Sequence, residues 1–399
     1  MSRRLLTGIG RLWTGHRVVE RAAVLIDGDR IAWVGPADDL PSGWADQVED
    51  LGGALVTPGL IDAHTHPVYA GDRFAELSLR STGAGYAEIA AAGGGIASTV
   101  AATRAADPGE LAAAVGTRLA AWLAAGATTV EAKTGYHLTR EGELGAVRLL
   151  AGLAARSAQV PALPRLAVTF LAAHAVPPDW ARDRAAYAAE AASWAPAAAA
   201  AGATGVDVFC DEGYFTVDEA RVVLAAGRAA GLAPRLHADE LARTGGAQLA
   251  AELGCLSADH LLAVTAEDAA AMAAAGVAAV LCPGTALAMR RTPPARELAA
   301  AGVTLALGSD HNPGQVGTTS MSLVVALAVA ALGLSVEQAL AAATSGGAAA
   351  LGRDDVGVVA PGCLADLVAW DAGHEGAFAW AFGLRPLRVW LGGQVVSPG

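Results

Sequence analysis

Short apolar runs alternate with alanine-rich segments through the middle of the chain. Eight of these runs read as strands: Val56–His64, Ala127–Lys133, Arg165–Ala173, Gly205–Cys210, Pro234–His237, Leu256–His260, Val277–Cys282 and Val303–Gly308. Each is followed by enough residues for a crossover helix, and alternating strand and helix implies a parallel sheet. Eight such units over about 250 residues predict a closed, TIM-like (β/α)8 barrel. The two ends of the chain read differently. Asp27-Gly28 lies between the apolar-rich runs Ala22–Ile26 and Arg30–Gly35, and Gly392-Gly393 lies between Arg388–Leu391 and Gln394–Val396. Both are hairpin signals. Six of the nine tryptophans (Trp13, Trp33, Trp44, Trp370, Trp380 and Trp390) fall in these ends. The expectation is an α/β chain: a barrel of residues 57–355, with residues 1–56 and 356–399 forming one small β-sandwich domain whose bulk is tryptophan.

Composition narrows the classes. With 54% hydrophobic and 17% charged residues, a disordered chain is excluded. A mean hydropathy of +0.40 raises the question of a membrane span. The longest unbroken apolar run, Leu323–Leu334, has 12 residues against the roughly 20 that a span needs, so it reads as a buried core helix. Met1–Leu6 carries two arginines without a long apolar stretch behind it, so no signal peptide is expected. A net charge of −12 argues against nucleic acid, whose affinity comes from phosphate neutralisation. Cys210, Cys255, Cys282 and Cys363 form no C-x-x-C pair and read as reduced thiols of a cytoplasmic protein.

The chemistry lies in the polar residues that end the apolar runs. His64 and His66 close the first strand, Lys133 the second, His174 the third, His237 the fifth, His260 the sixth and Asp310 the eighth. Barrel enzymes build their active sites on that face. His64 and His66 share one side of a strand because side chains repeat with period two. With His237 and the Asp310 carboxylate they suit Zn2+ or iron, leaving His174 and His260 for other work. A bound metal brings a water toward pKa ~7, so attack on a polarised C=O or C=N centre is the natural reaction. Other chemistries fit poorly. No Gly-x-Ser-x-Gly elbow is present, Gly8-x-Gly10 and Gly83-x-Gly85 lack the third glycine of a dinucleotide fingerprint, and Gly93-Gly94-Gly95 reads as a flexible loop. Lys133 is the only lysine among 27 basic residues. Its retention suggests a need for a compact ammonium, with chance the bland alternative.

The stretch Pro58-Gly59-Leu60-Ile61-Asp62-Ala63-His64-Thr65-His66 resembles the first metal-binding strand of the amidohydrolase superfamily. His237-Ala238-Asp239-Glu240, Ser257-Ala258-Asp259-His260 and Ser309-Asp310-His311-Asn312-Pro313-Gly314 resemble its fifth, sixth and eighth strand ends. Gly71-Asp72-Arg73, Gly93–Arg104, Glu131–Tyr136 and Phe170–Pro178 narrow the resemblance to the imidazolonepropionase family over nearly the whole chain. The resemblance implies hydrolysis of 4-imidazolone-5-propanoate to N-formimidoyl-L-glutamate with one divalent ion per chain, Zn2+ or Fe2+/Fe3+, on His64, His66, His237 and Asp310. It implies that Arg73 takes the propanoate, that Tyr136 and His174 surround the substrate, and that Glu240 bonds the ring nitrogens. Asn312 and Gly314, with Gln315 beside them, would meet the product's amino-acid end. Glu240, His260 and Asp310 share the proton handling. Gln315 departs from the small hydroxyl residue more usual there. His137 and His311 are read as incidental residues of exposed loops. Lys133 is expected to be an ammonium; a carbamylated bridge between two metals is its alternative.

Rival readings are a deaminase-like relative acting on another ring, such as guanine or a cyclic ureide, a non-catalytic barrel binding protein, and a secreted glycosidic barrel. The sequence names a small-molecule partner and no membrane. Dimers are common among such barrels, so a homodimer is the assembly to look for, although no interface is legible.

Overall fold

A computed structural model describes residues 3–40, 45–82, 94–159 and 162–396. Trp44, Gly83, Gly85 and Gly93 lie outside the described residues. The chain opens with β1 (Arg3–Trp13), β2 (Val18–Asp27), β3 (Arg30–Pro36), β4 (Gln47–Asp50) and β5 (Leu55–Pro58). It then builds β6 (Leu60–Asp62), β7 (Ala127–Lys133), β8 (Arg165–Ala173), β9 (Gly205–Cys210), β10 (Ala233–Ala238), β11 (Ser257–His260), β12 (Ala278–Leu281) and β13 (Leu305–Leu307). It ends with β14 (Leu367–Trp370), β15 (Pro386–Leu391) and β16 (Gln394–Val396).

Strands β6 to β13 pair in chain order as one parallel sheet. Its edges meet through the Ala63 N–H to Leu307 carbonyl bond (3.1 Å) and the Asp310 N–H to His64 carbonyl bond (2.9 Å), which bring the ends of the first and last strands together. All eight expected strands are present, with one revision. The run expected as a single strand from Val56 divides at Gly59. β5 joins the terminal sheet, paired with β1 and β14, while β6 enters the barrel against β7. One apolar run thus serves two sheets, so its pattern alone could not reveal the break.

The terminal sheet has the order β16-β15-β14-β5-β1-β2-β3, with β4 also on β1. Alternate residues of its strands enter two clusters. Leu6, Ile9, Leu12, Val24, Ile26, Leu367 and Trp390 fill one, and Leu5, Ala23 and Leu25, with Trp33 against them, fill the other. This is period-two burial on both faces, consistent with a small sandwich. Gly392 and Gly393 both have positive φ (55° and 71°) and link paired strands, the backbone that a type I′ hairpin turn requires. In the first hairpin Asp27 pairs with Arg30, so the loop is Gly28-Asp29, one residue later than expected. The tryptophans divide. Trp390 packs within the terminal sheet, Trp13 and Trp370 join the barrel-side core, and Trp380 is 86% exposed, contrary to its expected packing role.

Helices cover the barrel. The one over Pro108–Ala124 starts with proline in its first turn, and the Asp107 carboxylate accepts from the Gly109 and Glu110 N–H groups, satisfying donors that a helix start leaves open. The long apolar run forms the largely buried helix Met321–Leu332. No helix among the described residues is long and apolar enough to cross a membrane.

Candidate active site at the barrel mouth

The strand-end residues converge as the barrel rule requires. The Nε2 atoms of His64 and His66 are 3.2 Å apart, and those of His66 and His237 are 3.4 Å apart. Asp310 Oδ1 is 3.6 Å from His64 Nε2 and 3.5 Å from His66 Nε2. All four side chains are buried. The backbone is contorted at the same rim: Asp239, His260, Leu261 and Asp310 adopt positive φ. Such non-glycine conformations each cost on the order of 1–3 kcal/mol and collect at functional sites.

The imidazoles are steered from behind. His64 Nδ1 lies 2.6 Å from Asp259 Oδ2, so it carries the proton and Nε2 keeps its lone pair. His237 Nδ1 lies 2.9 Å from Asp207 Oδ2, an ion-pair distance, but the approach is too bent for a hydrogen bond. Burial, reinforced by neighbouring positive groups, holds His64 and His66 well below the usual imidazole range. Three imidazole nitrogens face one another beside a carboxylate oxygen. Three imidazoles and one carboxylate meeting in a buried pocket are a donor set that suits a bound divalent ion. The donor set therefore fits a metal.

Above this cluster opens a cavity. Its wall contains His66, Arg73, Tyr136, His174, His237, Glu240, His260, Asp310, Asn312 and Gln315. Of the expected site residues, only His64 and Gly314 stand behind the wall. His174 Nδ1 is 3.0 Å from the Gly135 carbonyl, so that nitrogen donates and Nε2 is left as an acceptor. The ring stacks on His66, with centroids 5.0 Å apart. Burial, with His237 nearby, pushes both His174 and His260 down to about 3. Burial and the charge of Asp310 push Glu240 up to about 8. Glu240 Oε2 is 3.9 Å from His260 Nε2. The Asp211 carboxylate accepts from the N–H groups of Glu240, Leu241 and Ala242 at 2.6–3.0 Å, which fixes the turn carrying Glu240.

Two expected substrate contacts carry additional work. Arg73 Nε and Nη2 donate to the two Glu76 oxygens at 2.9 and 2.7 Å, so the guanidinium plane is set by an internal carboxylate. A Cβ on Gly314 would come within 2.1 Å of Arg73 Nη1, so any larger residue there would push the guanidinium from its place. Asn312 organises its own turn. Its Oδ1 accepts from the Gly314 and Gln315 N–H groups, and its Nδ2 donates to the Asp310 carbonyl. His311 is 4% exposed and its Nε2 is 3.1 Å from the Tyr69 hydroxyl, and His137 is only partly exposed. The expectation of exposed loop positions is thereby corrected for His311, which is buried, and in part for His137.

Sequence reasoning did not single out Phe209, Tyr214, Ile96 or Leu241 of the cavity wall, nor Glu76, Asp207 or Glu131 behind it. Asp207 and Glu131 carried a usable signal, a carboxylate inside an otherwise apolar strand. Phe209 and Tyr214, stacked at 3.9 Å, look in sequence like ordinary core aromatics. Lys133 is fully buried, with Nζ 2.9 Å from Glu131, 2.7 Å from Asp207 and 3.4 Å from Asp259. Burial would lower its pKa, but the three carboxylates outweigh burial and raise it, which favours the ammonium form.

A closed parallel barrel with an imidazole–carboxylate cluster at its C-terminal rim defines the amidohydrolase class of enzymes. The Amidohydrolase family profile matches residues 220–396, and one described as an imidazolonepropionase-like composite domain of bacteria matches residues 22–44. The chain is 46% identical to an imidazolonepropionase of Cereibacter sphaeroides, covering 96% of each protein. It is 44% identical to an imidazolonepropionase of Streptomyces griseus, covering 95% of this chain and 93% of that one. Among solved structures, a triazine hydrolase variant superposes with a TM-score of 0.74 at 18% identity, covering 99% of this chain and 94% of the other, a likeness of fold. The chain belongs to the imidazolonepropionase family and is a hydrolase acting on a cyclic C–N bond.

Proposed function

We propose that the protein opens the ring of 4-imidazolone-5-propanoate to give N-formimidoyl-L-glutamate, a step of histidine degradation, with one divalent ion per chain, Zn2+ or iron. The observation that carries this reading is the single cavity wall joining Arg73 to His66, His237 and Asp310. A substrate with a carboxylate arm and a ring amide meets a guanidinium at one end and the ion's ligands at the other. His64, His66, His237 and Asp310 hold the ion, which when bound polarises the ring carbonyl and activates a water.

In the balanced reaction the water oxygen bonds to the ring carbonyl carbon and the C–N bond to the adjacent ring nitrogen breaks. One water proton ends on that nitrogen and the other is released as the new carboxyl group ionises, leaving a carboxylate and a formimidoyl group. His260 and Asp310 stand where the water's proton is taken up, and Glu240 stands beside His260 to serve the ring nitrogens. His174 offers its Nε2 lone pair to a ring N–H, and Tyr136 packs against His174 with centroids 5.1 Å apart. Arg73, oriented by Glu76, takes the propanoate. In a chain of charge −12, an anionic substrate needs such a local cation. The four cysteines, all unpaired, suit a cytoplasmic enzyme.

The test is turnover of freshly made 4-imidazolone-5-propanoate by metal-loaded protein, with guanine and cyclic ureides assayed beside it. Ring opening of the imidazolone acid in preference to the neutral rings is expected. Preference for a neutral ring would move the assignment to a deaminase-like relative.

A further inference from the structure

The polar residues beneath the imidazole cluster come from alternate barrel strands: Glu131 and Lys133 from β7, Asp207 from β9 and Asp259 from β11. Alternate strands contribute one layer of a barrel interior, so these four side chains meet on the axis. Each aspartate uses a single oxygen twice. Asp207 Oδ2 lies 2.7 Å from Lys133 Nζ and 2.9 Å from His237 Nδ1. Asp259 Oδ2 lies 3.4 Å from Lys133 Nζ and 2.6 Å from His64 Nδ1. One ammonium thus stands behind two imidazoles on opposite parts of the barrel, through one carboxylate each. Glu131 adds a third carboxylate to the ammonium and also accepts from the Thr65 N–H at 3.3 Å, between the two histidines of the first strand. Lys133, Glu131, Asp207 and Asp259 are at most 1% exposed. Water cannot replace any member, and the layer stays together only while a cation sits among the three carboxylates.

We infer that Lys133 is a positioning residue for the metal centre. Its ammonium pins Asp207 and Asp259; Asp259 sets the ring plane of His64 through a hydrogen bond and Asp207 stands in close charge contact with His237, and together they set the affinity for the ion. Carboxylates behind metal-binding imidazoles typically account for about 10–100-fold in metal affinity, and here a single residue governs two of them. Arginine is a poor substitute, because a planar fork cannot sit as a point charge among three oxygens. This explains why the one lysine of the chain stands here while its other basic residues are arginine. The inference rests on the metal reading above but not on the identity of the substrate.

The test is zinc affinity of full-length Lys133→Met, read by competition with a chromophoric chelator, beside circular dichroism and thermal melting of the metal-free protein. A folded variant should bind zinc roughly 10–100-fold more weakly, and its cobalt-loaded form should show shifted visible bands. Asp259→Asn should weaken binding in the same range. Melting lowered while zinc affinity stays within twofold and the cobalt bands stay in place would overturn the inference, since the lysine would then serve the fold alone. If Lys133→Met does not fold, the double variant Lys133→Met/Asp259→Asn, from which one charge of each sign is removed, is compared with Asp259→Asn alone. A further loss of affinity supports the hold of Lys133 on His237 through Asp207, and equal affinity overturns it. Metal affinity is independent of turnover, so a wrong substrate assignment would leave this result untouched.

Discussion

The floor and the wall of the barrel mouth are built by different means. The floor, from Lys133 up to the three imidazoles, is made of residues in or just after the strands whose positions follow from barrel geometry, and hydrogen bonds join Lys133 to Glu131, Asp207 and Asp259, and Asp259 to His64. Much of the wall comes from loops: Arg73 after the first strand, Tyr214 after β9, and Asn312 and Gln315 after β13, with Glu76 and Gly314 behind it. Loops position side chains through turns, such as the one closed by Asn312, and through close packing, such as the Arg73 guanidinium against Gly314. On the proposed function, the floor would carry the hydrolytic step and the wall the choice of ring. Loop residues can change without disturbing the closed sheet.

Removing the ion should produce the largest effect. Dialysis against a strong chelator should abolish turnover, and zinc or iron should restore it; activity that survives metal depletion would break the proposed division between floor and wall. Glu240→Gln and His260→Asn should each lower kcat by ~10²–10⁴-fold with metal content by elemental analysis unchanged. Loss of metal in step with activity would assign these residues to the floor instead. Arg73→Met should cost about 2–5 kcal/mol of interaction with a desolvated carboxylate. That corresponds to a fall in kcat/KM of roughly 30- to several thousand-fold, with lysine rescuing only part. Gly314→Ala drives a methyl into the guanidinium, and overpacking of this kind costs about 1–3 kcal/mol. The loss should fall mainly on KM, with kcat largely kept, as wall damage rather than floor damage would give. Trp380→Ser, on the exposed surface of the terminal segment, should change neither steady-state constants nor melting beyond about 0.5 kcal/mol.

Most of the floor was legible in the sequence because a histidine or aspartate ending an apolar run is conspicuous, and the barrel places every such end on one rim. His64, His66, His237 and Asp310 could be grouped that way before any coordinates. The function of Asp207 was not legible, although it interrupts an apolar strand, because nothing local says that its partners are Lys133 and His237. Glu76 and Gly314 were harder still. One looks like a helix-surface acid and the other like a turn glycine, yet both act on Arg73. The division of the first strand at Gly59 was hidden because burial on either side of it is complete.

The sequence by itself determined the count and direction of the barrel strands, the terminal hairpins and the residue types at the rim, since these depend on period, turn chemistry and side-chain identity within short windows. Tertiary structure alone decided which oxygen faces which nitrogen. It set one lysine among three carboxylates from three strands, brought two of these against two imidazoles, and set Arg73 between Glu76 and Gly314. Those choices depend on distances between residues far apart in the chain, which exist only once the sheet has closed.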